Sequence, residues 1–169
     1  MPRLLFASVL LLATIAPEAR GQTSGAPPTA ATMKMFTSSS EVTALIAKAK
    51  ADRKEGQPLV AEPILLLAPY RATLEYRPGL APAAVHENEA ELMYVIEGSG
   101  TIVTGGKLVE EKRVNPTNLS GKSIEGGTPQ PLAKGDFLIV PENTPHQTSP
   151  AGDPIVLMTM HVPRTAANR

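Results

Sequence analysis

Three histidines are spread over 169 residues, and two of them stand in company that could hold a metal ion. His86 is followed, after four residues, by Glu91. His146 closes the run Gly135-Asp136-Phe137-Leu138-Ile139-Val140-Pro141-Glu142-Asn143-Thr144-Pro145-His146. Imidazole and carboxylate are the donors from which divalent iron, manganese, nickel and zinc are commonly held. On a strand, residues i and i+2 point to one face, so an extended segment through His86 turns positions 84, 86 and 88 the same way. Position 84 is alanine, which carries no ligand atom. Position 88 is Asn88, whose side-chain oxygen can bind an ion or orient its water. A turn holding Glu87 and Glu89 leads to Glu91, with Met93 and Val95 on its face and Tyr94 and Glu97 as wall residues.

Two further groups sit beside this set. His161 lies on an extended terminal segment with Leu157 and Thr159 on its face, where it either replaces the ligand missing at 84 or is a wall histidine. Arg71, Glu75 and Arg77 share one face of an early alternating segment. Facing inward, an arginine there would clamp a substrate carboxylate with its two-pronged guanidinium. Facing outward, the three form a solvated cross-strand charge set, and that is the expectation.

The spacing His86-x4-Glu91-x6-Gly98 and the run Gly-Asp-x4-Pro-x3-Pro-His resemble the two sequence signatures of the cupin superfamily, and the resemblance extends from Tyr70 to Val162. The family's first signature opens with His-x-His. Aligned on Glu91 and Gly98, its second histidine is His86 and its first falls at Ala84. The family often has glycine where this chain has Asn143, a residue that also visits left-handed backbone. The resemblance implies a small single-domain all-β protein, a cupin double-stranded β-helix (jelly-roll) barrel of six to eight strands. It places His86, Glu91 and His146 together inside that barrel as ligands of a divalent transition metal, with positions left for water or substrate. It also implies a small organic ligand entering the barrel mouth, and pairing of two copies through sheet edges and an N-terminal arm. Cupins of this size include dioxygenases, isomerases, epimerases and lyases, so the reaction stays open. Three functions remain in view: a metalloenzyme, a non-catalytic small-molecule binder with a degenerate metal site (the reading that Ala84 motivates), and an oligomeric structural protein.

The elements that must position these residues start after a leader. Arg3, the apolar run Leu4 to Ile15 and the small residues around Ala19-Arg20-Gly21 have the form of a secretory signal peptide over residues 1–21, which predicts a secreted or periplasmic protein. The run is shorter than the roughly 20 residues a membrane-spanning helix needs. Residues 22–37, rich in Gly, Ala, Pro, Ser and Thr, read as a flexible linker. Residues 38–56 read as a helix: Ser38 and Glu41 form a capping box, Val42, Leu45, Ile46 and Ala49 make the apolar stripe, and Gly56 is the stop. Lys48, Lys50, Arg53 and Lys54 are its solvated side.

Residues 57–169 carry the barrel, with strands expected at Ile64 to Leu67, Tyr70 to Tyr76, Leu92 to Ile96, Thr101 to Thr104, Phe137 to Val140 and Ile155 to Val162. The connection from Gly105 to Lys134, interrupted by Gly105-Gly106, Asn115-Pro116 and Gly126-Gly127, reads as a long loop. It includes the glycosylation sequon Asn118-Leu119-Ser120. Sixteen basic residues balance sixteen acidic ones, so nothing in the charge favours nucleic acid or an anionic membrane. The absence of cysteine excludes a disulfide scaffold.

Overall fold

A computed structural model describes residues 33–164; the segment expected to be a leader, most of the one expected to be a linker, and the last five residues lie outside the described part. One helix, α1 (Ser39–Asp52), precedes thirteen strands. They are β1 (Val60–Leu67), β2 (Tyr70–Arg77), β3 (Ala83–His86), β4 (Glu89–Glu97), β5 (Ser99–Thr104), β6 (Lys107–Val109), β7 (Lys112–Asn115), β8 (Asn118–Gly121), β9 (Ser123–Glu125), β10 (Thr128–Ala133), β11 (Phe137–Val140), β12 (His146–Pro150) and β13 (Ile155–Pro163). Two antiparallel sheets, in the orders β1-β2-β13-β4-β11 and β10-β5-β12-β3-β8-β7, face one another, and β6 and β9 form a separate ribbon. No helix among the described residues is long and apolar enough to cross a membrane.

The helix forms as its sequence dictates. Ser38 accepts from the Glu41 backbone N–H, and Glu41 returns the favour to the Ser38 N–H at 2.8 Å, so both ends of the capping box are closed. Ile46 and Ala49 bury against Val60, Ile64, Ala72, Leu74, Tyr76 and Val156, which are the outward-pointing residues of the first sheet. Lys48, by contrast, stays in solvent and pairs with Asp52 and Glu62. Residues 33–37 run beside β1, tied to it by the Lys34–Leu66 bridge and by the Thr37 hydroxyl, which donates to the Ile64 carbonyl at 2.6 Å.

A second apolar cluster fills the space between the sheets: Met93, Val95, Ile155, Leu157 and Val140 from the first sheet meet Ile102 and Leu132 from the second. This cluster fixes which face of each strand is inside. Thr159 pairs with both Met93 and Thr73, and His161 with both Glu91 and Arg71. Hence Arg71, Thr73, Glu75 and Arg77 turn toward the barrel interior. This corrects the expectation of an outward charge set: both faces of β2 are covered, one by α1 and one by the opposite sheet, and alternation alone cannot tell which is which.

The stretch from Gly105 to Lys134 is the second departure. It holds β6 to β10 instead of a loop, and β8 pairs with β3 so that His86 lies opposite Asn118 and Ala84 opposite Ser120.

Candidate metal centre

The Gly135-Asp136 pair shows why the second signature has the form it does. Gly135 takes a left-handed φ of 94°, and the Asp136 carboxylate caps the turn by accepting from the Ala133 N–H at 2.7 Å. On the other side of β11, Asn143 adopts the left-handed φ of 57° that its glycine-like place demands. Its N–H then donates to the His86 carbonyl at 2.7 Å. The loop before β12 is thereby fastened to the end of β3, and His146 arrives beside His86. The first signature ends at Gly98, with φ of 79° and its backbone so close to Pro154 that a Cβ would sit 2.4 Å from the Pro154 oxygen. Glycine is required there to join β4 to β5 without displacing β13.

These devices converge three groups. His86, Glu91 and His146 each offer a ligand atom within 4.8 Å of the others, Glu91 and His146 buried and His86 half-buried. Glu91 Oε2 lies 2.9 Å from His146 Nε2 and 3.4 Å from His86 Nε2. The outer nitrogens are already committed: His86 Nδ1–H donates to Asn118 Oδ1 at 3.0 Å, and His146 Nδ1–H donates to the Thr144 carbonyl at 3.0 Å. The Thr144 carbonyl can only accept and Asn118 presents its side-chain oxygen, so both rings turn Nδ1–H outward and Nε2 toward Glu91. With the outer nitrogens engaged, the two Nε2 atoms and the Glu91 carboxylate meet at one point, the kind of donor set from which a divalent cation is held. Burial pushes the Glu91 carboxyl up, but hydrogen bonding to His146 and His86 outweighs it and leaves Glu91 far below the ordinary carboxylate range. Burial likewise opposes charge on His86, yet Glu91 and Asn118 raise it above its ordinary value. Both shifts say that this point favours positive charge.

The donor set fits a metal in its ring geometry too. With an ion about 2.1 Å from each ring nitrogen, two imidazoles at tetrahedral or octahedral angles have centres roughly 4.5–5.3 Å apart. The His86 and His146 rings are 5.3 Å apart.

Asn118 is the polar neighbour that the sequence did not disclose. Its place beside His86 comes from the β3–β8 register, across a separation of 32 residues inside what reads as a loop. Asn88, the residue expected in that neighbourhood, stands in the exposed bend after β3 ends at His86, and its carbonyl accepts from the Arg164 N–H. Strand geometry stops two residues too early to carry Asn88 inward.

Glu89, expected at a turn, begins β4 and forms a second set of close ligand atoms with His86 and His161. His161 Nδ1 is 3.2 Å from Glu89 Oε2 but is misaligned for a hydrogen bond, so this buried nitrogen has no partner. Burial keeps His161 below its ordinary pKa. Outside the ligands opens a cavity of about 650 Å³, walled by His86, Glu89, His161 and Asn118 on the polar side and by Met33, Leu66, Leu67 and Tyr70 on the apolar side.

The two arginines part company. Arg71 lines that cavity and makes no ion pair among the described residues, whereas Arg77 is closed off by Glu75 at 2.6 Å. Six residues of strand separate them, about 20 Å. Arg77 is thus not part of the site.

In sequence, no protein-family model and no curated protein matches the chain. Solved structures do. BH2720 from Bacillus halodurans aligns with a TM-score of 0.51 at 13% identity, over 78% of this chain and 83% of that one. FeII HppE aligns with a TM-score of 0.50 at 15% identity, over 64% of this chain but only 53% of that one, so the match spans about half of HppE. A Klebsiella pneumoniae protein with a double-stranded β-helix domain aligns at 0.49 and 16% identity, over 68% of this chain and 84% of that one. At such identities the likeness speaks for the fold alone. Two facing antiparallel sheets, the two signatures at their junction and the likenesses to BH2720 and HppE agree: the chain has the cupin fold, an all-β double-stranded β-helix barrel.

Proposed function

We propose that the protein is an exported metalloprotein that holds one divalent transition metal through His86, Glu91 and His146 and acts on a small organic molecule admitted by the adjoining cavity. The observation that carries this reading is the convergence of the His86 and His146 Nε2 atoms on the Glu91 carboxylate, each imidazole held at its Nδ1 by Asn118 or Thr144. Iron, manganese, nickel and zinc all suit two nitrogens and one oxygen. The iron(II) of HppE supports iron by analogy of fold only.

When bound, the ion would supply Lewis acidity or a place to activate oxygen. The rest falls to the chain's own residues. Asn118 and the Thr144 carbonyl hold the two rings still. The apolar wall of Leu66, Leu67 and Tyr70 excludes water from one side of a bound molecule. Arg71, unpaired at the mouth, suits a carboxylate or other anionic group on that molecule. Export rests on the Arg3, Leu4–Ile15 and Ala19-Arg20-Gly21 pattern, and N-terminal sequencing of protein recovered outside the cytoplasm checks it.

Elemental analysis of the purified full chain tests the central reading. One equivalent of transition metal is expected, lost in His146→Ala; a metal-free protein that takes up none from added salts overturns it. A second reading, a binder that works without metal, is favoured by Ala84, which stands opposite His146 where a further ligand could have been. It predicts that His86→Ala leaves affinity for the small molecule nearly unchanged.

A further inference from the structure

One half-buried side chain near the proposed centre is left without a task. His161 projects from β13 on the inner face, directly across from Glu91 of β4 and from Arg71 of β2. Its ring lies edge-on to His86 with centres 4.4 Å apart, close to the separation expected of two imidazoles bound to one ion about 2.1 Å from each. Its Nδ1 is buried and has no hydrogen-bond partner, although Glu89 is only 3.2 Å away. A buried polar atom without a partner costs roughly 1–3 kcal/mol, and such atoms commonly await a ligand. On the opposite sheet, Ala84 sits at an inward position paired with His146 and contributes no donor.

We propose that His161 supplies the imidazole that Ala84 does not. The third histidine ligand reaches the ion from the last strand, β13, instead of from β3. This inference rests on the metal-binding reading above and adds to it a count: three imidazoles and one carboxylate, not two and one. The ligand atoms of His161 now lie with those of His86 and Glu89, so a turn of the His161 ring from Glu89 toward Glu91 accompanies loading.

The test is to load the full chain with copper(II) and count coordinated imidazoles by pulsed electron paramagnetic resonance, with zinc(II) affinity measured beside it. Wild type is expected to show three imidazoles. His161→Gln should show two and bind zinc more weakly by on the order of tenfold or more. The double variant His161→Gln, Ala84→His should return to three, since it moves the ligand back to β3. The unfolding temperature of metal-free His161→Gln, if equal to that of wild type, confirms that the change is in ligation and not in folding. Two imidazoles in wild type, or a His161→Gln variant with unaltered count and affinity, overturns the proposal while leaving metal binding by His86, Glu91 and His146 standing. Absence of any bound metal in wild type overturns both.

Discussion

The interior of the barrel changes character within one pleat. At one end, Glu91, His86, His146 and His161 gather beside an open cavity. From two to six residues further along β4 and β13, Met93, Val95, Leu157 and Ile155 close the space with hydrocarbon. The two arginines of β2 repeat the contrast: Arg77 is neutralised by Glu75 in a setting where their side chains are 11% and 13% exposed, and Arg71 faces the cavity unpaired. A barrel of this kind separates its duties along the strand. The apolar end supplies the burial that holds the sheets together, and the other end can then keep two imidazole nitrogens and a carboxylate pointed at one place.

Substitutions that respect the division should act on one property only. Among the largest effects is that of Arg77→Met, which leaves the Glu75 carboxylate with no counter-ion in the interior. Denaturant unfolding should register a loss of about 3 kcal/mol, near the lower end for a broken buried pair because some solvent reaches it, whereas Arg71→Met should change stability by less than about 0.5 kcal/mol. Equal losses at the two arginines would erase the contrast. Leu157→Ala removes a fully buried side chain from the closed end and should cost about 2–5 kcal/mol, with metal affinity of the folded fraction untouched. Asn118→Ala should do the reverse, weakening metal binding by about 10- to 100-fold as the His86 ring loses its hold, with a small effect on metal-free unfolding.

The smallest effect concerns pH. Glu91 is held below its ordinary value of 4.5, so its contribution to the metal-free fold is present above that pH and is lost as pH falls, when the unfolded chain takes up the proton first. His86 has the opposite sign. Raised above 6.5, it contributes below that pH, and the contribution fades as pH rises through its folded value. Unfolding of the metal-free protein should therefore become easier below about pH 4.5, and the slope should flatten in Glu91→Gln.

The same division explains what could be read from the amino-acid order. The helix was legible because a capping box and a 3.6-residue stripe are local, and the strands β2, β4, β11 and β13 because their alternation or apolar runs are local too. The convergence of His86, Glu91 and His146 was legible through signature spacing, whose glycines and prolines fix turns in short range. Strands β6 to β10 were not: they are three to six residues long, broken by glycine pairs, and two of them, β7 and β10, are mostly exposed, so no period develops. Asn118 was hidden for the same reason, since only the long-range register with β3 gives it a role. Asn88 was misplaced because nothing in the sequence marks the end of β3 at His86. The face of β2 was misjudged because the helix and the opposite sheet both cover it, leaving no solvent side to read.

One titration bears most directly on the claim that the polar end is a cation site. Unfolding free energy is measured for the full chain with rising zinc(II), alongside His86→Ala and His146→Ala. The account predicts that wild type gains about 4 kcal/mol when free zinc reaches roughly a thousandfold above its dissociation constant, and that neither variant gains comparably at the same concentrations. A wild type whose stability ignores the ion, or variants stabilised as much as wild type, would contradict it.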